Sequence, residues 1–417
     1  MRVENMQRSE LRANRLKKGR FSISILSELY LYILFYGMLF QIPLGLNHFD
    51  EIIILCNILI ILYYAIKGVE KKYYVIWCTL IAFAGVGLVG NFLWNYQSAK
   101  LVLIDFVDNI KFFINMFAVF FLCRNIRVSE YKNKIVKHCY FAVFILIVQF
   151  VICAVGQFIF QLDGYKIRTL FYTETVLTAI ICVLMALMLT LKPQKNILYF
   201  MILSVQLLII AKVKSMILLL IFWFIYFRVV KKSRKISIKD CLLLAPGIVY
   251  VAWDRILVYY SNIHSERERT TLTKYGFILL KDYFPFGTGF ATFCSYMSTK
   301  KYSPVYYLYG MNYMWNLGPE SIVSVMTDVF WPMIMGQTGI FGLIFFITAI
   351  ILIYKKMIAD IRYISILSYA SGIMILLYLL FNSFAEGSFS NWNGWLLGMA
   401  LGFCLAYSYK KSQNTDI

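Results

Sequence analysis

The stretch HSERERTTLTKYGFILLKDYFPFGTGF, residues 264–290, is polar and of mixed charge in a chain that is otherwise apolar. It runs on through a tyrosine-rich passage and closes as SVMTDVFWPMIMGQTGIFG, residues 324–342, where the sequence turns apolar again. Outside the termini no other long passage has this character, so the chain reads as membrane scaffold built around one loop. Candidate functional residues are sought in that loop first.

Working outward, composition sets the class. Hydrophobic residues make up 61% of the 417 and charged residues 15%, against about 45–50% and about 25% in soluble domains. Twelve apolar stretches follow: 22–43, 49–66, 73–93, 101–123, 138–160, 169–191, 197–211, 215–230, 241–259, 327–354, 363–381 and 391–409. Most have the ~20 residues a helix needs to cross a bilayer. The expected fold is all-α, a polytopic membrane helix bundle of about 12 transmembrane helices with a large extracytoplasmic loop between the ninth and tenth. That divides the chain into a basic cytoplasmic tail at 1–21, helices one to nine in 22–259, the loop at 260–326, helices ten to twelve in 327–409 and a cytoplasmic tail at 410–417. Only AKVK, residues 211–214, separates two short spans, which leaves open a tight hairpin or one broken helix.

Charge placement sets the expected orientation. With the N-terminus inside, the cytoplasmic segments carry 28 of the 41 Lys and Arg, counting Arg228 at a span edge, and the outer segments 11. This asymmetry predicts both termini in the cytoplasm of a plasma or inner membrane. Six of the outer eleven lie in the 260–326 loop, and long loops translocate largely regardless of charge. The net charge of +20 then marks a face apposed to anionic lipid, with the bilayer as partner and no nucleic acid. The tail MRVENMQRSELRANRLKKGR precedes the first span without a small-residue cleavage site, so no removable signal peptide is expected.

Nine cysteines and three isolated histidines, His48, His138 and His264, show no metal-ligand spacing, so neither metal nor cofactor is expected. Cys294 alone clearly falls in an outer loop. Within the fourth span Asp105, Asp108 and Lys111 follow in steps of three, which reads as a self-neutralising cluster or as functional charge. Glu174 reads equally as an interfacial carboxylate or a cavity group.

In the loop, residues between Arg267 and Tyr283 predict a helix, with Ser265 as N-cap and Pro285 ending it. Arg267, Lys274 and Lys281 recur every seven residues and share one face of an amphipathic helix. Such a row of cations suits a diphosphate and equally suits snorkelling beside lipid. Next, PFGTG predicts a tight turn in which Gly287 and Gly289 let backbone approach something closely. No strand precedes it, which excludes a nucleotide site. The run Tyr296, Tyr302, Tyr306, Tyr307, Tyr309, Tyr313 and Trp315 suits either a membrane interface or a sugar face.

Three of these blocks together resemble the O-antigen polymerase and O-antigen ligase superfamily of bacterial surface-polysaccharide assembly. RERTTLTKYGFILLKDYFPFGTGFATF is similar to that family's arginine, helix and Pro-x-Gly-x-Gly block, TDVFWPMIMGQTGIFG to the block that closes its loop, and Lys214-Ser215 to its Ser-Arg or Ser-Lys element. The likeness covers about a fifth of the chain. It implies metal-independent inverting glycosyl transfer from a polyprenyl-diphosphate-linked oligosaccharide donor to a lipid-linked acceptor, with a chain-length regulator and a flippase as further partners. Ligase-type members carry His-Asn, then Glu, in the closing block. Asp328, Val329 and Gln337 stand there in this chain, which favours a polymerase over a ligase.

For that chemistry the resemblance implies Arg267, Arg269 and Lys214 as cations for the leaving diphosphate, helped by Lys274 and Lys281. Asp328 is the first choice of base for the acceptor hydroxyl, with Glu320 and Glu386 behind it, though Asp is also a good helix N-cap. Gly287, Gly289 and Tyr306 complete the expected substrate contacts. The competing class is a transporter of lipid-linked sugars, which would be expected to show paired halves and broken helices.

Overall fold

A computed structural model describes residues 28–30, 32–33, 36–37, 49–68, 71–124, 128–158, 173–191, 193–257, 267–321, 325–360 and 364–413. The described residues are helical throughout their ordered elements, with no strand among them. Fourteen α-helices are numbered here in chain order: α1 Phe49–Lys67, α2 Lys71–Trp94, α3 Ala99–Cys123, α4 Val128–Phe158, α5 Glu174–Leu191, α6 Ile197–Ile210 and α7 Val213–Ile225. They continue as α8 Ile238–Ile256, α9 Glu268–Asp282, α10 Tyr296–Lys300, α11 Pro304–Leu308, α12 Phe330–Ile353, α13 Ile366–Asn382 and α14 Trp392–Gln413.

Among the described residues six helices are long and apolar enough to cross a membrane: Tyr73–Trp94, Ala99–Cys123, Asn133–Val155, Glu174–Leu191, Val213–Val230 and Phe330–Ile358. The expectation of about twelve is met only in class. Helices α6 and α13 are apolar but shorter, with 14 and 17 residues, or about 21 and 26 Å at 1.5 Å per residue against a hydrocarbon core of about 30 Å. The expected first span at 22–43 lies mostly outside the described residues.

Helix α5 sits at the centre, with 83% of its most apolar window buried, followed by α3 with 78%. Helix α14 packs along α3, and α13 packs on both α5 and α14. The α3–α14 approach is close because Gly398 and Gly402 lie one turn apart. A β-carbon there would come within 2.5 Å of the Phe112 carbonyl oxygen and 2.3 Å of that of Met116. Small residues at this spacing bring backbones together where lipid supplies no hydrophobic drive for association. Around Ala211 the chain forms two helices, resolving the hairpin alternative left open by the sequence. Ala211 takes a left-handed conformation that ends α6, Trp223 donates to Ser204 at 3.0 Å, and the Phe200 and Phe222 rings meet at a tilt with centroids 5.0 Å apart, which makes α6 and α7 antiparallel.

Several connections gather at one end of the bundle. Gln97 donates to the Lys301 carbonyl at 2.9 Å, Lys214 reaches Thr175 and Glu386, and Trp331 donates to Ser383 at 2.9 Å. The loop, the α2–α3 and α6–α7 turns, the start of α5 and the α13–α14 turn therefore share this end. It is the set that the expected alternation of twelve spans would put on one side of the membrane.

Candidate functional site

The loop enters the bundle as α9, which begins at Glu268 with Arg267 at its N-cap; Ser265, the expected cap, lies outside the described residues. Leu272, Gly276 and Leu279 face inward while Arg267, Lys274 and Lys281 are exposed. Gly276 lets the helix lie against α12, since a β-carbon there would stand 2.9 Å from Pro332. The inward face of the expected amphipathic helix thus covers another helix.

Directly after it, the Pro-x-Gly-x-Gly block fills a break in α12. Gly339 interrupts that helix at φ 60°, ψ −162°, a region open essentially to glycine alone. The break leaves carbonyls without helical partners, and the loop supplies donors: Thr288 N–H to Gly336 at 2.9 Å and Gly289 N–H to Gln337 at 2.8 Å. Contact is tight enough that a β-carbon on Gly287 would lie 2.5 Å from the Gly339 nitrogen, and one on Gly289 2.5 Å from Asn91. Buried backbone polar groups need partners, and here two irregular segments satisfy each other. Gly287 and Gly289 therefore approach protein, not ligand.

A polar clamp holds the following residues. The Asn91 amide takes both backbone groups of Phe290, accepting from its N–H at 2.8 Å and donating to its carbonyl at 2.9 Å. Asp105 accepts the Ala291 N–H at 2.7 Å, and Gln337 donates to the Phe293 carbonyl at 2.9 Å. Ala291 and Cys294 both have positive φ, 63° and 55°, a strained state that persists only where surroundings enforce it. Lys111 pairs with Asp108 at 2.7 Å, so the cluster self-neutralises in part, while Asp105 is committed to the loop.

Tyr306 belongs to the same clamp. It is fully buried, accepts the Cys294 N–H at 2.8 Å and shares a 2.8 Å bond with Ser298. Burial pushes its hydroxyl well above the usual phenol range. No sugar reaches the ring in this conformation, which corrects its expected contact role. Tyr296, Tyr307, Tyr313 and Trp315 are exposed, whereas Tyr302 donates to the Leu317 carbonyl and Tyr309 to Asp282, at 2.8 and 2.7 Å.

Charge gathers at the mouth beside this plug. Arg269 donates to Asp328 at 2.8 Å, and Lys214 pairs with Glu386 while reaching Thr175 at 3.5 Å. A β-carbon on Gly387 would lie 3.2 Å from the Thr327 carbonyl oxygen, so the turns bearing Asp328 and Glu386 touch and the two ion pairs flank that contact. The carboxylates differ. Glu386 is 16% exposed and also receives Asn391 and Asn393 at 2.6 and 2.7 Å. Asp328 is 38% exposed and, among the described residues, bonded through one oxygen only. A partly exposed pair of this kind contributes about 0–1 kcal/mol, so a stronger anion can displace Asp328 from Arg269 at small cost.

No protein-family model matches the chain, and no curated protein matches it. Roles are therefore assigned from geometry. Of the expected site residues, Arg269, Asp328 and Lys214 come to the mouth together with Glu386. Arg267, at the N-cap of α9, lies two residues before Arg269, which on a helix is about half a turn away and on a different face. Lys274 and Lys281 continue along the exposed face, and Glu320 is exposed with Asn316 and Glu268 bonded nearby at 2.8 Å. The residues missed by sequence reasoning are the amides Asn91, Asn391 and Asn393, while Gln337 was noted only for standing where ligase-type members carry Glu. Their only signal was amide side chains next to apolar spans, where an unpaired amide is costly.

Proposed function

We propose that the chain is a membrane-embedded polysaccharide polymerase, transferring a glycan from a polyprenyl-diphosphate donor to a sugar hydroxyl of a lipid-linked acceptor. The observation that supports this reading is the pair of cation–carboxylate contacts, the exchangeable Arg269–Asp328 and the more enclosed Lys214–Glu386, on either side of the Thr327–Gly387 contact. In the proposed reaction the acceptor oxygen attacks the anomeric carbon as its bond to the diphosphate oxygen breaks. Arg269 and Lys214 turn to the departing diphosphate, where fixed cations lower the cost of the charge that develops. Asp328, released from Arg269, takes the proton from the attacking hydroxyl. Glu386, bonded at both oxygens, instead orients Lys214. In this scheme the loop end of the bundle faces the cell exterior, as the charge asymmetry predicts.

The break in α12 bears on the transporter alternative. Broken helices in transporters leave backbone groups open to ions or substrate. Here the Gly336 and Gln337 carbonyls are taken by Thr288 and Gly289 of the same chain, which supports a fixed, plugged end over an alternating one. The deciding experiment is incubation of purified protein with lipid-linked repeat units. A ladder of extended products is expected, and consumption of no donor under conditions where the protein stays folded would sink the reading.

A further inference from the structure

The end of the bundle away from the loop carries a groove that the proposed transfer does not use. Helices α7 and α8 part there around a cavity of about 420 Å³, lined by Leu219, Trp223, Phe224, Phe227, Leu243 and Gly247 among others. The lining is apolar, because the indole nitrogen of Trp223 already donates to Ser204. Leu219, Trp223 and Phe227 recur every four residues on the face of α7 away from Lys214, which pairs inward with Glu386. Phe227 also stands about 20 Å along the helix from Lys214, so a diphosphate held at Lys214 has its head at the opposite end.

Where the groove ends, the chain turns strongly basic. Residues 228–240 hold six cations, Arg228, Lys231, Lys232, Arg234, Lys235 and Lys239, against one carboxylate, Asp240. Asp240 pairs with Arg234 at 2.7 Å and Arg228 at 3.8 Å, and Lys235 donates to the Ala359 carbonyl at 2.6 Å. Lys231, Lys232 and Lys239 are exposed, and none of them pairs with a carboxylate among the described residues. Lys231 lies 6.0 Å from the centre of the Tyr226 ring, a contact that uses none of its three N–H donors. The helices set two of these lysines at the groove. Lys231 follows Phe227 by four residues and Lys239 precedes Leu243 by four, so each stands about one turn beyond a lining residue on the same side of its helix. A ligand that matches both parts has an apolar chain and an anionic head. A free phosphate lacks the chain, and a zwitterionic lipid would bring its own ammonium among the lysines. We propose that α7 and α8 bind one anionic phospholipid from the bilayer, with an acyl chain in the groove and its phosphate held by Lys231 and Lys239. This site stands independently of the polymerase reading.

The test uses the fluorescence of Trp223, which brominated acyl chains quench on contact. Purified protein in detergent is titrated with phosphatidylglycerol or phosphatidylcholine carrying brominated chains. Phosphatidylglycerol should quench saturably and at lower concentration than phosphatidylcholine, and Trp223→Phe should remove the saturable part. Replacing Lys231 and Lys239 together by Gln should weaken phosphatidylglycerol by about tenfold or more, from about fivefold for each lysine beside an anionic head, and leave phosphatidylcholine unchanged. Gly247→Leu should abolish the saturable quenching by filling the groove. A β-carbon there meets nothing nearer than 3.8 Å, so the fold should tolerate it, and the exposed lysine pair gives a second route to the same answer. Equal quenching by the two lipids in wild-type protein, or a lysine double variant that shifts neither curve, would overturn the site. No quenching of Trp223 by either lipid would mean that protein covers the groove, which overturns it as well.

Discussion

At residues 287–293 the loop is buried throughout: Thr288 and Gly289 bond α12, Asn91 grips Phe290, and Asp105 holds Ala291. At residues 327–328 and 386–387 the chain instead presents carboxylates to cations across a partly exposed seam. Both regions stand out in the sequence, one by its glycines and one by its charges. The first is built from buried groups that satisfy one another, and the second includes a partly exposed pair, Arg269–Asp328, that can exchange. Geometry thus separates an interlocked region from a charged one at the same end of the bundle, with glycines belonging to the former and the Arg269, Asp328, Lys214 and Glu386 group to the latter.

The largest effect that would break this division is at Gly339. A β-carbon would meet the Pro285 carbonyl oxygen at 2.2 Å on backbone at φ 60°, adding overpacking to strain. Gly339→Ala should cost on the order of 3 kcal/mol or more and remove most monodisperse protein from detergent extracts. Gly310 supplies the contrast, with φ 65° and nothing within 4 Å of its β-carbon position. Gly310→Ala should cost only about 1 kcal/mol. Equal yields of the two variants would mean that the plug is loose and that the inward region is not architectural.

Changes at the seam should do the reverse, sparing the fold and removing activity. Asp328→Asn keeps an oxygen that can accept from Arg269 but cannot take a proton in the proposed transfer, and Arg269→Gln removes the cation. Each should lower polymer formation by about 10²–10³, with melting temperature almost unchanged because an exposed pair contributes about 0–1 kcal/mol. The double variant should lose little more than the worse single one, since both act on one step. Product ladders from purified variants at matched protein concentration measure this. A fully active Asp328→Asn would leave Asp328 as a partner for Arg269 and nothing more.

How much of this was legible in the sequence follows from the range of each interaction. Helical class was, because a bilayer forces the backbone to bond within its own segment and leaves long apolar runs. Helix α9 was too, its end marked by Pro285 and its exposed face by Arg267, Lys274 and Lys281. The plug was not. Pairing of Thr288 with Gly336 and of Phe290 with Asn91 joins backbone groups far apart along the chain, and no local pattern encodes it. Nothing local marks Gly339 as a break in α12; its conformation does. Tyr306 illustrates a further limit: among closely spaced tyrosines, composition cannot say which ring turns inward.

Tyr306 also yields the smallest and sharpest test, because it was expected to touch substrate and stands instead within the inward region. Its hydroxyl accepts from the Cys294 N–H, a buried donor on strained backbone, and bonds Ser298. Tyr306→Phe leaves the ring to pack but strands that N–H, which costs about 1–3 kcal/mol. A structural Tyr306 should therefore lower the melting temperature while leaving the rate of polymer formation per folded molecule, and its dependence on acceptor concentration, unchanged. A sugar-binding Tyr306 would give the opposite pattern: a raised acceptor KM with stability intact. The two outcomes do not overlap, since a hydroxyl that serves Cys294 at full burial is not also available to a ligand. Loss of activity at unchanged stability would show that 294–306 opens during the reaction, and would move part of the plug from architecture to chemistry.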